Sequence, residues 1–252
     1  MASYDAFGSQ FKVGTAQIET ATVVVTTVTA GNSDWTLTAS GMTGSPITTV
    51  VALANDDTAN EVAVKAVAAM NLDSDITDLF DLKVEGDDIV ITKKVAAAND
   101  ATLNLAYADD TSGGLTDDAT STNTQAGAAL TTVAQVKSIS GPSLGTDTED
   151  VTTHDSPNAW EEVVVTLLRS GEVTLDIVYD PADDTHDGTA TGGLLTRLQN
   201  RNVTDFAIVF PDAASTTWYF DGYITGFEPD NPVDGAVTAS VTIKVTGEMT
   251  IN

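Results

Sequence analysis

The chain has 252 residues, with 37 Asp and Glu against 10 Lys and Arg for a formal charge of −27, and it contains no Cys. That excess of acid repels a phosphate backbone, which argues against sequence-reading DNA binding while allowing a duplex to slide past without sticking. Disulfides and thiolate metal sites are excluded, and no run approaches the roughly 18 apolar residues that a membrane span needs. The opening "MASYDAFGSQFKVG" has neither a basic n-region nor a long apolar stretch, so a soluble product is expected. Thr, Val, Ala and Asp dominate and β-branched runs recur at short spacing, so the chain reads as mostly β with few helices.

In chain order, residues 17–127 read as a self-contained unit. The β-rich runs "TATVVVTTVTA", "WTLTAS" and "SPITTVVALA" precede a helix. That helix is signalled by Thr58 and Glu61 at capping-box spacing, with Val62, Ala66, Ala69 and Met70 on one stripe and Asp57 suited to the start of the dipole. The hairpin "LKVEGDDIVITKK" turns at Gly86-Asp87, and "LNLAYA" is a last short strand. The polar tract "ADDTSGGLTDDATSTNTQAG" reads as a linker.

From about residue 130 the texture changes. "TTVAQVKSI" is expected as one strand, and "EEVVVTLL" and "EVTLDIVYD" as a hairpin around Arg169-Ser170-Gly171. "GGLLTRLQNRN" is the one predicted helix of this half, with Leu194, Leu195 and Leu198 inward and Arg197 and Arg201 near its C-terminus. "TDFAIVFPD", "STTWYFDGYITGFEPD" and "GAVTASVTIKVTGEMTI" follow, the last alternating Val237, Ala239, Val241, Ile243 and Val245 with polar residues. These elements make a β-sandwich or barrel with one helix. Residues 1–16 and 128–252 make better sense as one domain interrupted by a small strands-helix-strands α+β insert at 17–127, because neither flank has a core alone. The insert holds 17 of the 37 acids and 4 of the 10 bases, so no acidic tail explains the charge.

No catalytic constellation stands out. His154, Asp155 and Ser156 are sequence neighbours, whereas a triad is built from distant positions. "DPADDTHDG" (180–188) clusters Asp180, Asp183, Asp184, His186 and Asp187 but lacks the ligand spacing of an EF-hand, so it reads as a solvated acidic turn. The Asp pairs 56–57, 87–88, 109–110 and 117–118 fall at predicted turns. "GTATGG" lacks the lysine of a phosphate-binding loop, and no HExxH, GxSxG or GxGxxG motif occurs. Trp160, Trp218, Tyr219, Phe220 and Tyr223 read mostly as core, with a carbohydrate-binding aromatic platform as the rival use. Neither an enzyme nor a metal or cofactor site is expected.

The blocks "VAQVKSISGPSL", "DTEDVTTHDSP", "GEVTLDIVYDP", "LLTRLQNRN" and "WYFDGYITGFEPDNPVDGAVTASVTIKVTGE", together with the opening "FGSQFKVG", resemble the major tail tube proteins of long-tailed bacteriophages with non-contractile, siphophage-type tails. The resemblance covers residues 1–16 and about 128–252. The unit at 17–127 is a departure that many relatives lack, and it resembles small β-α-β units inserted in other phage tail proteins. An outward position is expected for it, because the lumen must stay open, and its role as decoration, ring stabiliser or host contact is open.

The resemblance implies a structural virion protein, assembled in the host cytoplasm. Its β-sandwich protomers form hexameric rings with a continuous inner β-barrel, and the rings stack into a tube that delivers DNA without specific binding. The implied partners are further copies of the chain, the tape measure protein and the tail-tip and terminator proteins. Family behaviour places ring-to-ring contact in the long loop after the "ISGP" strand, here Asp150, Thr152, His154, Asp155, Ser156 and Pro157. The lumen is assigned to polar strand faces carrying Glu172, Thr174, Asp176, Asp221 and Thr242, although alternation alone leaves open which face lines it. The alternative from another class is a secreted or surface β-sandwich module that binds carbohydrate.

Overall fold

The computed structural model describes residues 7–116, 120–156, 158, 160–187 and 192–252. The chain divides into two compact units: Gly14–Ala129, and the flanks through Val13 and from Leu130 onward. It passes from one to the other along β1 (Gln10–Thr15) and returns along β11 (Ala128–Thr132), which are neighbours in one sheet. The strands that lead into and out of Gly14–Ala129 are therefore adjacent in one sheet.

Within Gly14–Ala129 the elements are β2 (Ile18–Thr22), β3 (Val25–Thr29), β4 (Gly31–Thr38), β5 (Ile47–Leu53), α1 (Ala59–Met70), α2 (Ser74–Thr77), β6 (Phe80–Glu85), β7 (Asp88–Lys93), β8 (Asn104–Asp109), β9 (Gly113–Leu115) and β10 (Thr122–Gln125). They form sheets ordered β10-β2-β7-β6, β5-β4-β8 and β3-β9. The capping box at the start of α1 is present in full: the Thr58 hydroxyl accepts from the Glu61 amide, and the Glu61 carboxylate accepts from the Thr58 amide at 2.9 Å. Val62, Ala63, Ala66, Val67 and Met70 form its buried stripe. They share a core with Trp35, Leu37, Phe80, Ile89, Ile91 and Leu105. Trp35 stacks on Tyr107 at 4.7 Å between ring centroids.

The run "TATVVVTTVTA" is broken where β2 ends. The Val24 amide donates to the Tyr107 hydroxyl at 3.0 Å, and that hydroxyl donates to the Thr22 carbonyl at 2.9 Å, so a side chain takes the place of a strand partner. The tract read as a linker holds two strands. β9 pairs with β3, and Gly114 permits the approach, since a Cβ there would lie 2.2 Å from the Thr27 carbonyl oxygen. β10 pairs with β2, and Thr20 and Thr124 share a hydroxyl contact of 3.1 Å. Both are short strands with mostly exposed or half-buried residues, so no hydrophobic alternation announces them.

The other unit continues with β12 (Val136–Ser140), β13 (Gly145–Asp150), β14 (Val163–Arg169), β15 (Glu172–Val178), α3 (Leu194–Asn200), β16 (Thr204–Val209), β17 (Thr217–Asp230) and β18 (Thr238–Ile251). Seven strands are joined in the order β11-β1-β16-β17-β18-β15-β12. Phe11, Val173, Leu175, Ile177, Phe206, Phe220, Val241, Ile243 and Leu194 of α3 fill one core, in which Phe206 lies 5.5 Å from Phe11 and 5.7 Å from Phe220. β17 and β18 are each 14 residues long, with register shifts at Tyr219/Asp221 and Ile224/Gly226. Such bulges bend strands and let one pair serve two layers.

Two expectations are corrected here. "TTVAQVKSI" is two strands, because Gln135 turns with φ of 53° and separates β11 from β12. In α3, Arg197 lies in the last turn as expected, with its Nε also donating to the Gly192 carbonyl, and Arg201 ends the helix in the left-handed region. Most consequentially, β14 and β15 are not a hairpin: β14 pairs with β13, and β15 pairs with β12 and β18. The chain breaks direction at Gly171, where φ is 64° and a Cβ would lie 2.1 Å from the Ser143 hydroxyl.

Candidate assembly surfaces

The loop after β12 is built as an antiparallel ribbon. β13 pairs with β14 from Gly145–Arg169 to Asp150–Val163, and these two strands form a sheet of their own. Asp147 at the register shift grips Arg169 as an ion pair, with Arg169 Nε 2.7 Å from Oδ1, and the guanidinium holds the Asp147 carboxyl below its ordinary value. β14 reads VVVTLLR and every residue of it is exposed: Leu167 to 63% and Leu168 to 87%. The register shift at Asp147 breaks simple alternation: Val163, Val165 and Leu168 share the side of their partners Asp150, Thr148 and Thr146, while Val164, opposite Glu149, takes the other. Both faces are apolar, the pattern of a strand that is covered on both sides.

The predicted contact residues lie at the outer end of this ribbon and split into two groups. Asp150, Thr152 and Ser156 fold the tip. The Thr152 amide donates to Asp150 Oδ1 at 2.9 Å, and bonds from Thr152 hold the Asp150 carboxyl low. Ser156 Oγ accepts from the Thr153 amide at 3.0 Å and donates to Glu162 Oε2 at 2.9 Å. This engagement with Glu162 ties Ser156 to the turn. His154 and Asp155 are exposed, and Pro157 lies outside the described residues. The residues that sequence reasoning missed are the apolar ones of β14 together with Trp160, which was read as core and is 75% exposed. The signal was available in "VVVTLL", an apolar run without alternation, but it was absorbed into a hairpin that does not form.

The five residues assigned to the lumen lie on the side of the large sheet opposite the core. Cross-strand neighbours align Glu172 with Lys244, Thr174 with Thr242, and Asp176 with Ser240, while Asp221 sits opposite Thr246 farther along β17. Glu172 and Lys244 form an open ion pair of 3.5 Å, and Asp176 Oδ2 accepts from Ser138 Oγ of β12 at 2.7 Å. The face is hollowed into a groove running from Lys137 past Asp176 and Ser240 to Glu228 and Asp230. Tyr223, also read as core, is partly exposed on this face beside Lys244.

The acidic turn after β15 is organised by its own backbone. Asp183 Oδ1 accepts from the Thr185 amide and hydroxyl at 2.8 and 2.6 Å, and these bonds lower its pKa. His186 is fully buried, with Nδ1 accepting from the Asp180 amide at 3.2 Å and Nε2 meeting the Ala134 carbonyl at 2.8 Å. It ties this turn to the β11–β12 connection. In the inserted unit Glu19 is buried, with Oε1 accepting from Ser121 Oγ at 3.1 Å and Oε2 without a partner, and burial raises its pKa. Among the described residues no group of three or more His, Asp or Glu is arranged to hold a metal ion.

Residues 115–252, more than half of the chain, match the family described as "Lambda phage tail tube protein, TTP". The chain belongs to this family. It is thus a structural component of a phage virion, a tail tube protein, and the family decides against the secreted carbohydrate-binding alternative. A search of curated proteins gave no match. Solved structures similar to this tail tube protein include a virion of a native gene transfer agent particle (17% identity, 49% of this chain and 88% of that chain, TM-score 0.40). The tail of an empty gene transfer agent particle is similar at 19% identity, over 49% and 86% of the two chains, with a TM-score of 0.39. An anti-feeding prophage baseplate is similar at 10% identity, over 49% and 83%, with a TM-score of 0.37. These likenesses are too loose to carry a role to this chain.

Proposed function

We propose that this tail tube protein assembles as hexameric rings that stack into a hollow tube, with the β13–β14 ribbon reaching a neighbouring ring and the polar face of β15, β17 and β18 turned to the lumen. The observation that carries this reading is β14, a fully exposed apolar strand in a ribbon outside the main sheet. Leaving that surface in water is unfavourable, and covering it between copies drives stacking. The acidic, hollowed face suits passage of DNA, because like charge removes the counterion-release gain that would hold a duplex on the wall. The tape measure protein, the tail-tip and terminator proteins and DNA are the partners of such a tube.

The interrupted-domain reading, with its guest unit outside the tube, belongs to the same proposal. β1 and β11, which lead to the guest, stand at the end of the sheet order away from β12 and the hollowed face. Replacing residues 151–162 by an Asn-Gly turn, which the Asp150–Val163 pairing can accept, tests the ribbon. A folded protein that no longer forms tubes is expected. Tubes formed at the unmodified protein's concentration would overturn the contact assignment.

A further inference from the structure

Three Asp-Gly pairs occur in the chain: Asp187-Gly188, Asp221-Gly222 and Asp234-Gly235. In this dipeptide an aspartate side chain can react with its own backbone, because glycine has no Cβ to hinder its amide nitrogen as it approaches the preceding carboxyl carbon. Gly188 lies outside the described residues, and the other two pairs sit in contrasting surroundings. Asp221 and Gly222 are inside β17, between β16 and β18. Asp221 stands opposite Asp205 and Thr246, and Gly222 opposite Thr204 and Val245. Gly222 is buried, and a Cβ there would lie 2.8 Å from the Lys244 carbonyl oxygen, so its backbone has no space in which to turn. Ring closure would require the Gly222 nitrogen to swing out of the extended conformation toward the Asp221 carboxyl, and ladders on both sides resist that rotation.

Asp234 and Gly235 belong to the connection between β17 and β18, two strands of 14 residues each. The ladder ends at the Asp230–Thr238 pair, residues 231–237 are all exposed, and Asp234 lies in a turn. Gly235 folds back on Pro232, whose Cγ would be 2.9 Å from a Cβ at position 235. The backbone has thus left the extended conformation where the Gly235 nitrogen must meet the Asp234 carboxyl, and no ladder has to break for a ring to close. Exposed loop tips are also where a change in the chain is best tolerated.

We propose that Asp234 is a site of spontaneous modification, which converts to isoaspartate in the folded protein while Asp221 does not. The Gly235 nitrogen bonds to the Asp234 side-chain carboxyl carbon, and the hydroxyl of the protonated carboxyl leaves as water with the amide hydrogen, giving a five-membered succinimide. Water then opens the ring. Opening at the side-chain carbonyl restores aspartate, whereas opening at the backbone carbonyl leaves the chain running through the side chain, one methylene longer, with a free α-carboxylate. One water is lost and one regained, so no oxidant or reductant is needed and the charge is unchanged. The new carboxylate is the group that an isoaspartate methyltransferase esterifies from S-adenosylmethionine. The lengthened backbone falls at the joint of β17 and β18, beside Asp230 and Thr238 of the hollowed groove. This inference does not depend on the tail-tube reading.

To test it, the full-length protein is incubated folded at mildly acidic pH, and a second sample is incubated in guanidinium chloride. Both are cut after Arg201 and Glu228, which places Asp187, Asp221 and Asp234 on separate peptides, and the peptides are labelled by an isoaspartate methyltransferase with a radioactive methyl donor. The folded sample should gain label with time on the Asp234 peptide and none on the Asp221 peptide, and the denatured sample should gain it on both. Asp234→Glu, which cannot form the five-membered ring, should lose the label. Asp234→Asn should close the same ring with ammonia as the leaving group, read by mass as deamidation of the folded chain. Equal label at Asp221 and Asp234 in the folded protein, or label at Asp234 only after denaturation, would overturn the proposal. A folded Asp234→Asn chain that keeps its amide while its denatured form loses it would do the same, and a denatured parent without label at either site would overturn the ring closure itself.

Discussion

Leu168→Ala is the sharpest probe of the ribbon. The side chain is 87% exposed in the free chain, so truncation removes no core packing, and the monomer should keep its stability to within about 0.5 kcal/mol. If stacking buries Leu168, the three carbons removed are worth about 0.8 kcal/mol each, or about 2 kcal/mol per chain after scaling by the exposed fraction. That is about a 30-fold change in an association constant. Sedimentation velocity over a concentration series, paired with negative-stain electron microscopy, should show the concentration for tube formation rising by about that factor while the melting temperature holds. Leu72 of the inserted unit is also 87% exposed, and Leu72→Ala is the matched control that should leave assembly unchanged. A Leu168→Ala protein that assembles within about twofold of the parent, or whose monomer melts early, would refute the reasoning.

Three further outcomes follow from the site geometry. Thr58→Ala removes the hydroxyl half of the capping box and should cost about 1 kcal/mol, whereas Thr58→Gly should cost only about a few tenths; calorimetry of the full chain that ranks them the other way would refute the cap. Glu19 titrates above its ordinary 4.5 because burial disfavours the carboxylate, so its penalty is absent below 4.5, grows as pH rises towards the raised value, and is constant above it. Mild acidification should therefore raise the melting temperature by an increment that Glu19→Gln abolishes, before stability falls again below 3.8 as lowered carboxyls such as Asp57 and Asp100 take up protons. The increment persisting in Glu19→Gln would assign it to another group. Glu172→Gln with Asp176→Asn should spare assembly and slow DNA ejection, and unchanged ejection kinetics would remove these carboxylates from the lumen.

Local signals in the sequence were reliable where a single element decides its own shape. The capping box of α1, the Gly86-Asp87 turn and the alternation of β18 are each set by neighbours a few residues away, and all three form as expected. Pairing between distant segments was harder to read. β14 looked like one arm of a buried hairpin because apolar β-branched residues usually mean burial, yet its partner is the polar β13 and its apolar faces are left open. β9 and β10 were hidden because edge strands of Gly, Thr, Asn and Gln carry a turn-like composition, and their place is set by Gly114 and by Ser121 reaching Glu19 across the unit. His186 was grouped with an acidic turn because its burial depends on the Ala134 carbonyl, about fifty residues earlier in the chain. The loop singled out from the sequence forms the tip of the β13–β14 ribbon, and the exposed apolar residues beside it lie in β14, whose pairing with a strand rich in polar residues is set by β13 and not by any local pattern.

The most direct test of the tail-tube account is a cryo-EM reconstruction of filaments formed by the purified full-length protein, with tail-tip complexes added as nuclei. A hollow tube of stacked sixfold rings is predicted, with Glu172, Thr174 and Asp176 facing the lumen, the β13–β14 ribbon between rings, and the unit at 14–129 on the outside. Protein that stays monomeric even with nuclei present, or a tube with the inserted unit in its channel, would contradict it.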